Sequence, residues 1–502
     1  MSEPLWQPSR DRVANANLNR FIDAVADDWG FQAADFEALH LWSVAEKEKF
    51  WQSVWSFTGV IAETRGSVVL SDGAAMPGAK WFPEAKLNFA ENLLRRRDDV
   101  AAIMFRGENR VRRTMSRNEL YDLTSRIAQA LVADGVKSGD RVAGYLPNIP
   151  EAVAAMLAAS SLGAIWSSCS PDFGTTGILD RFGQIEPAVL FIADGYFYNG
   201  TWIDTVSRAS EAVEQLPSIR REIVISYCGN TSATGDLPHG TTLDDFVAPF
   251  APREIPFEQL PFDHPLYILY SSGTTGPPKC IVHGQGGTLL QHLKEQRLQT
   301  DVKPSDRVFY FTTLGWMMWN WLVSMLASEA TILLYDGAPF HPGPEAVFDF
   351  AQETRMTHFG TSAKYIDAIK KSGIEPIKTH DLDDLRVMMS TGSPLVAESY
   401  DFVYDNIKRD FSLTSMSGGT DIVSCFVLGN PIGSVWRGEI QAPGLGMDVH
   451  VYNDAGRTVI GEKGELVCAC PFPSMPVRFW NDAGDRVFDV VLLVVACDDN
   501  RN

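Results

Sequence analysis

From Ser116 onward the chain alternates helix and strand at a spacing that admits few folds. Ser116-Arg-Asn-Glu119 has capping-box spacing, and Leu120, Leu123, Ile127, Ala130 and Leu131 recur on one helical face until Gly135. A strand is predicted at Val142 to Tyr145. After Pro147-Asn-Ile-Pro150, a second helix over Glu151 to Leu162 closes at Gly163 and leads to a strand at Ala164 to Trp166. Strand, helix and strand in succession make right-handed crossovers, so the strands lie parallel and helices cover them. The alternation returns at Val189 to Ala193 and Ile223 to Ser226. The fold class is α/β, with mainly parallel sheets flanked by helices.

Other stretches frame this core. Residues 1–100 carry Trp6, Trp29, Trp42, Trp51, Trp55 and Trp81 among helix formers, and read as a helical layer packed on the large domain. Residues 101–480 form that large domain. Cys228 to Pro265 is a polar, Pro-rich surface connection. Arg307 to Thr312 and Ala330 to Tyr335 read as buried strands on either side of the apolar segment Trp316 to Leu326.

Bulk properties exclude several functions. A chain of 502 residues with 45% hydrophobic and 21% charged residues has material for two or three domains and a large core. Its formal charge of −20 lacks the basic face that a duplex binder needs, so no nucleic-acid partner is expected. Seven cysteines without metal-ligand spacing point to reduced thiols and a cytosolic protein. Cys468 and Cys470 have the wrong interval for a zinc knuckle and read as strand residues. No basic-then-apolar leader opens the chain, and no run approaches the roughly 20 apolar residues of a membrane span.

The chemistry concentrates in Tyr267-Ile-Leu-Tyr-Ser-Ser-Gly-Thr-Thr-Gly-Pro-Pro-Lys279. An apolar strand breaks into six small residues, Ser271, Ser272, Gly273, Thr274, Thr275 and Gly276, whose backbone and hydroxyl groups can approach an anion closely. Lys279 adds a point charge, while Pro277 and Pro278 stiffen the exit and donate nothing. A Walker loop needs four residues between its glycines and a Ser or Thr after the lysine; here Cys280 comes next.

The order Ser-Ser-Gly-Thr-Thr-Gly-Pro-Pro-Lys resembles the phosphate loop of the adenylate-forming superfamily, which comprises acyl-CoA synthetases, luciferases and adenylation domains. Further stretches match that superfamily in the right order. Gly315-Trp316-Met317-Met318 resembles the segment lining the acyl pocket, and Thr391-Gly392-Ser393-Pro394 the loop meeting the adenine and acyl group. Gly360-Thr-Ser-Ala-Lys-Tyr365 and Gly464-Glu-Leu-Val467 match other family segments. Ser417-Gly418-Gly419-Thr420-Asp421 stands where the family holds the α-phosphate with Thr and magnesium with an acid, so Asp421 is the implied metal residue. The family usually has Glu there; an Asp serves the same hard cation.

The resemblance implies a ligase that uses ATP, Mg²⁺ and coenzyme A. A substrate carboxylate attacks the α-phosphorus to give an acyl-adenylate and pyrophosphate, and the thiol of coenzyme A then displaces AMP. The implied catalytic residues are Lys279, Thr420 and Asp421. Where acetyl-CoA synthetases carry a pocket-flooring Trp, this chain has Gly418, and Ser-Gly-Gly-Thr-Asp is similar to the acetoacetyl-CoA synthetases. Trp81 to Leu94 also resembles the amino-terminal extension of the acetyl- and acetoacetyl-CoA synthetases. Acetoacetate is the expected substrate; the competing account of Gly418 is a backbone need for glycine.

Beyond Asp482 the family pattern stops. Its ribose-binding motif, hinge and small carboxy-terminal domain are not recognisable, and residues 481–502 read as an altered or truncated tail in which Val490 to Ala496 is strand-prone. That small domain carries a lysine assisting adenylation, so the alternative expectation is a catalytically impaired domain that still binds nucleotide.

Overall fold

The computed structural model describes residues 3–229, 233–271 and 276–482. Two sheets dominate. The first has eight strands in the order Gly240–Thr242, Arg221–Ile225, Val189–Ala193, Arg141–Tyr145, Ile165–Cys169, Pro265–Ser271, Lys279–Gly284 and Arg478–Phe479. Its strands run parallel as far as Pro265–Ser271, and the last two pairings are antiparallel. The second has seven strands in the order Ser412–Ser415, Val387–Thr391, His358–Ser362, Arg307–Tyr310, Thr331–Asp336, Ala101–Gly107 and Val111–Ser116. All its pairs are parallel except the final hairpin.

The helix Arg117–Ala133 starts where the capping box predicts: Ser116 Oγ accepts from the Glu119 amide at 3.2 Å, and the Glu119 carboxylate accepts from the Ser116 amide at 2.7 Å. The helix Pro150–Ser161 is buried on nearly every side. Its alanines, Ala152, Ala154, Ala155, Ala158 and Ala159, keep it thin enough to lie in a core shared by both sheets, which supply Val142 and Trp166 on one side and Ile103, Val308 and Leu334 on the other.

The amino-terminal layer consists of Arg10–Ala14, Asn17–Trp29, Phe36–Ala45 and Lys47–Thr58. Gly30 and Gly59, at φ of 69° and 65°, end two of these helices in the left-handed conformation that glycine tolerates. The tryptophans are mostly core: Trp42, Trp51, Trp55 and Trp81 are buried, with Trp51 edge-on to Trp81 at 6.0 Å. The helix Lys47–Thr58 packs on Gln285–Lys294, so the layer backs the helix that succeeds the phosphate stretch.

Two outcomes differ from expectation. Lys279–Gly284 returns as a strand, so the phosphate stretch is an antiparallel hairpin at one side of a parallel sheet. The strand Glu465–Cys468 ends before Cys470, whose carbonyl accepts from the Cys468 thiol. Ser272, Gly273, Thr274 and Thr275, and the tail from 483 to 502 with Val490 to Ala496, lie outside the described residues.

Candidate active site

The hairpin sets the site's frame. Tyr267, Ile268 and Leu269 are buried, which fixes the strand in the sheet and carries its end to the surface. Ser271 lies opposite Lys279, so residues 272–278 span the mouth of one antiparallel pair. Gly276 has φ of 119°, where a side chain would be strained, and Lys279 is exposed. At the base, the Arg181 guanidinium lies over the Phe173 ring at 3.9 Å and the Tyr270 ring at 5.6 Å. That cation has no sequence motif; only proximity in the fold reveals it.

Thr420 and Asp421 open a turn, 420–423, between the strands Ser417–Gly419 and Ser424–Leu428. Both residues are half-buried. The turn is tied to the phosphate hairpin by His283, whose Nε2 is 2.8 Å from the Thr420 carbonyl oxygen. Burial pushes the His283 imidazole down to about 3, so the ring is neutral and the nitrogen facing the carbonyl carries the donated proton. His283 lies four residues beyond Lys279 on the same strand face, about 13 Å along it. The acid-bearing turn is therefore tied to the strand that the lysine begins.

The remaining predicted residues gather at the carboxyl ends of the second sheet's strands, the usual place for ligands in such sheets. The Thr391 hydroxyl donates to the Met416 carbonyl at 3.0 Å, joining the 391–394 loop to the Ser417 hairpin. Gly392 turns there with φ of 83°, and Gly392, Ser393 and Pro394 are exposed. Trp316 caps the helix Met317–Val323 and is 58% exposed, whereas Met317 and Met318 are buried. Gly418 faces Cys425, and a Cβ on it would collide with the Ser424 carbonyl oxygen and Cys425 Cα. The space beside Gly418 is filled by its own partner strand, which is a sufficient reason for glycine there.

At the opposite, amino-terminal ends of these strands a cavity of about 250 Å³ lies among Trp6, Arg12, Lys303, His358 and Arg386. Its cations already have partners: Arg12 pairs with Asp410, Lys303 with Asp301 and Arg386 with Asp306.

Comparison with known proteins shows the family and the fold. Residues 89–475 match the family model of the AMP-binding enzymes, and residues 36–93 match that of the acetyl-coenzyme A synthetase N-terminus. The chain is 55% identical over 480 residues to the acetoacetyl-coenzyme A synthetase of Rhizobium meliloti (strain 1021), covering 95% of this chain and 73% of that protein. It is 43% identical over 490 residues to the acetoacetyl-CoA synthetase of Gallus gallus, covering 96% and 73%. The solved structure of the acetoacetyl-CoA synthetase from Streptomyces lividans superposes with a TM-score of 0.92 at 44% identity, covering 97% of this chain and 76% of that one.

Proposed function

The chain belongs to the AMP-binding enzymes, and from that membership we propose that it is an acid–thiol ligase joining acetoacetate to coenzyme A at the expense of ATP. The acetoacetate carboxylate attacks the α-phosphorus of ATP, the bond to the β-phosphate oxygen breaks, and acetoacetyl-AMP and pyrophosphate form. The thiol of coenzyme A then attacks the mixed anhydride, losing its proton and releasing AMP. The observation that carries this reading is the His283–Thr420 hydrogen bond at 2.8 Å, which ties the turn holding Asp421 to the strand that starts at Lys279.

The chain's own residues act by placement and charge. Lys279 sits at the mouth of the phosphate hairpin, where an ammonium offsets charge growing on the departing pyrophosphate. The Thr420 hydroxyl and Asp421 flank the α-phosphate. Thr391, Gly392, Ser393 and Pro394 meet the adenine side, and Trp316, Met317, Met318 and Gly418 border the acyl group. Asp421 would hold Mg²⁺. Among the described residues no group of three or more His, Cys, Asp or Glu side chains could cage a metal, which fits an ion that arrives with the nucleotide and keeps phosphate and water oxygens as its other ligands. When bound, that ion neutralises phosphate charge.

Residues 1–100 serve as a helical layer beneath the 101–480 nucleotide and acyl domain, and the reaction runs in the cytosol. Free thiols at Cys169, Cys228, Cys280, Cys425, Cys468 and Cys470 accord with a reducing compartment, and no helix among the described residues is long and apolar enough to cross a membrane. Nothing among the described residues favours the impaired-domain alternative. The test is to incubate the chain with ATP, Mg²⁺, acetoacetate and coenzyme A and to follow pyrophosphate, acyl-adenylate and thioester separately. Acetoacetate-dependent pyrophosphate release and thioester formation are expected; nucleotide binding with neither product overturns the assignment.

A further inference from the structure

The turn 420–423 is poorly held by its own backbone. Its internal bonds, Ile422 amide to Gly419 carbonyl and Val423 amide to Thr420 carbonyl, are both long at 3.3 Å. Val423 has φ of 48°, a left-handed conformation that a β-branched residue adopts only when its surroundings impose it. Two buried imidazoles supply that constraint. His283 donates from Nε2 to the Thr420 carbonyl at 2.8 Å, and His292 lies with Nε2 2.6 Å from the Val423 carbonyl.

Each ring also belongs to a different element. His283 lies near the end of the strand that Lys279 begins. His292 sits on the helix Gln285–Lys294, and its Nδ1 is 2.6 Å from the hydroxyl of Ser324, directly after the Met317–Val323 helix of the acyl segment. Because Nε2 of His292 faces a carbonyl and must carry the proton, Nδ1 accepts from Ser324. A spare surface turn would need neither anchor.

We propose that His283 and His292 are positioning residues for adenylation: by donating to the first and last carbonyls of the turn, they fix Thr420 and Asp421 relative to the phosphate hairpin on one side and the acyl helix on the other. The inference rests on the ligase reading above. Displacing a reacting geometry by about an ångström costs up to on the order of 100-fold in rate, so loose anchors should appear in kcat rather than in fold.

The test exploits reach. A glutamine amide nitrogen can occupy the place of Nε2, whereas an asparagine amide cannot extend that far. In the full chain, His283→Asn should lower acetoacetate-dependent pyrophosphate release about tenfold or more and raise the Mg²⁺ concentration for half-maximal rate, while His283→Gln restores most of the rate. His292→Asn and His292→Gln should split the same way. An Asn variant with unchanged rate and Mg²⁺ requirement overturns the proposal. So does equal loss in Asn and Gln variants in step with a fall in Tm, which marks a merely structural role. Asp421→Asn tests the metal reading separately: an unchanged Mg²⁺ requirement there sinks Asp421 as metal residue and leaves the His283 pair to decide the positioning of Thr420.

Discussion

Ser271 and Lys279 face each other across an antiparallel strand pair, so the segment from 272 to 278 leaves and re-enters the sheet at one point. Both ends of the connection are thus held by the sheet, and the exposed lysine stands at the return. Antiparallel closure gives the loop a rigid base that a strand leading directly into a helix would not.

Lys279→Ala should therefore separate catalysis from folding. Losing a charge that acts on developing anionic oxygens costs on the order of 100-fold in rate. The same exposed side chain contributes within about 0.5 kcal/mol to stability. Pyrophosphate release and thermal melting on one preparation check this; a large fall in Tm, or full activity, contradicts the role given to Lys279.

Gly418 makes a stability prediction before it makes a specificity one. Since its missing Cβ would overlap the Ser424 carbonyl, even Gly418→Ala must push apart the hairpin that carries Thr420 and Asp421. The expected cost is roughly 1–3 kcal/mol, read as a lower denaturant midpoint. Acyl preference is better probed at Met318, which is buried at the start of the helix Met317–Val323 and proposed to border the acyl group: Met318→Trp should lower kcat/KM for acetoacetate more than for acetate, and an unchanged ratio removes Met318 from the pocket.

Much of this architecture was legible in the chain. The Ser116–Glu119 capping box located a helix start, and apolar runs such as Val189 to Ala193 located parallel strands, because those signals are local. The return strand Lys279–Gly284 was missed: its pairing is set by the loop, and its apolar run is only Cys280, Ile281 and Val282, shortly after two prolines. The imidazole braces were beyond local reading as well. His283 bonds to a carbonyl 137 residues away, and no periodicity marks such a partner. The one clue was a histidine closing an apolar strand, since a buried ring must find a hydrogen bond.

Acid should unfold the protein in a window set by these rings. His283, His292 and His358 are buried, and burial holds all three imidazoles below their ordinary range, His283 down to about 3. The unfolded chain takes up their protons near pH 6.5 while the folded one does not, so stability is present above that pH and is lost as pH falls below it, by on the order of 1 kcal/mol per pH unit for each ring. Asp336 acts oppositely: burial raises its carboxyl to about 7, so between the ordinary carboxylate range and 7 the folded state holds a proton that the unfolded state has lost, and stability declines with rising pH. Three rings outweigh one carboxyl below pH 6. Denaturant midpoints should climb from pH 5 to about 6.5 and then level off; a flat profile from 5 to 6.5 contradicts the neutral buried rings.

The buried pair Lys294 and Glu295 should show strong coupling. Both side chains are fully enclosed with Nζ 3.6 Å from Oε1, and burial pushes the Lys294 ammonium down while the Glu295 carboxylate opposes that shift. Glu295 also accepts from the Ser424 hydroxyl, the Cys425 amide at 3.1 Å, the Trp321 indole at 2.9 Å and the Gln291 side-chain amide at 3.3 Å, holding the Asp421 hairpin and the helix Met317–Val323 to the same helix end. Glu295→Leu removes the acceptor of four donors and strands a buried cation, so a loss of roughly 3–5 kcal/mol is expected. Lys294→Met leaves the carboxylate with its donors and should cost less. The double replacement should fall short of the sum by about 0.5–3 kcal/mol, measured as a double-mutant cycle in denaturant. Strict additivity would mean that the ammonium and carboxylate do not sense each other, and that Glu295 is held by its hydrogen-bond donors alone.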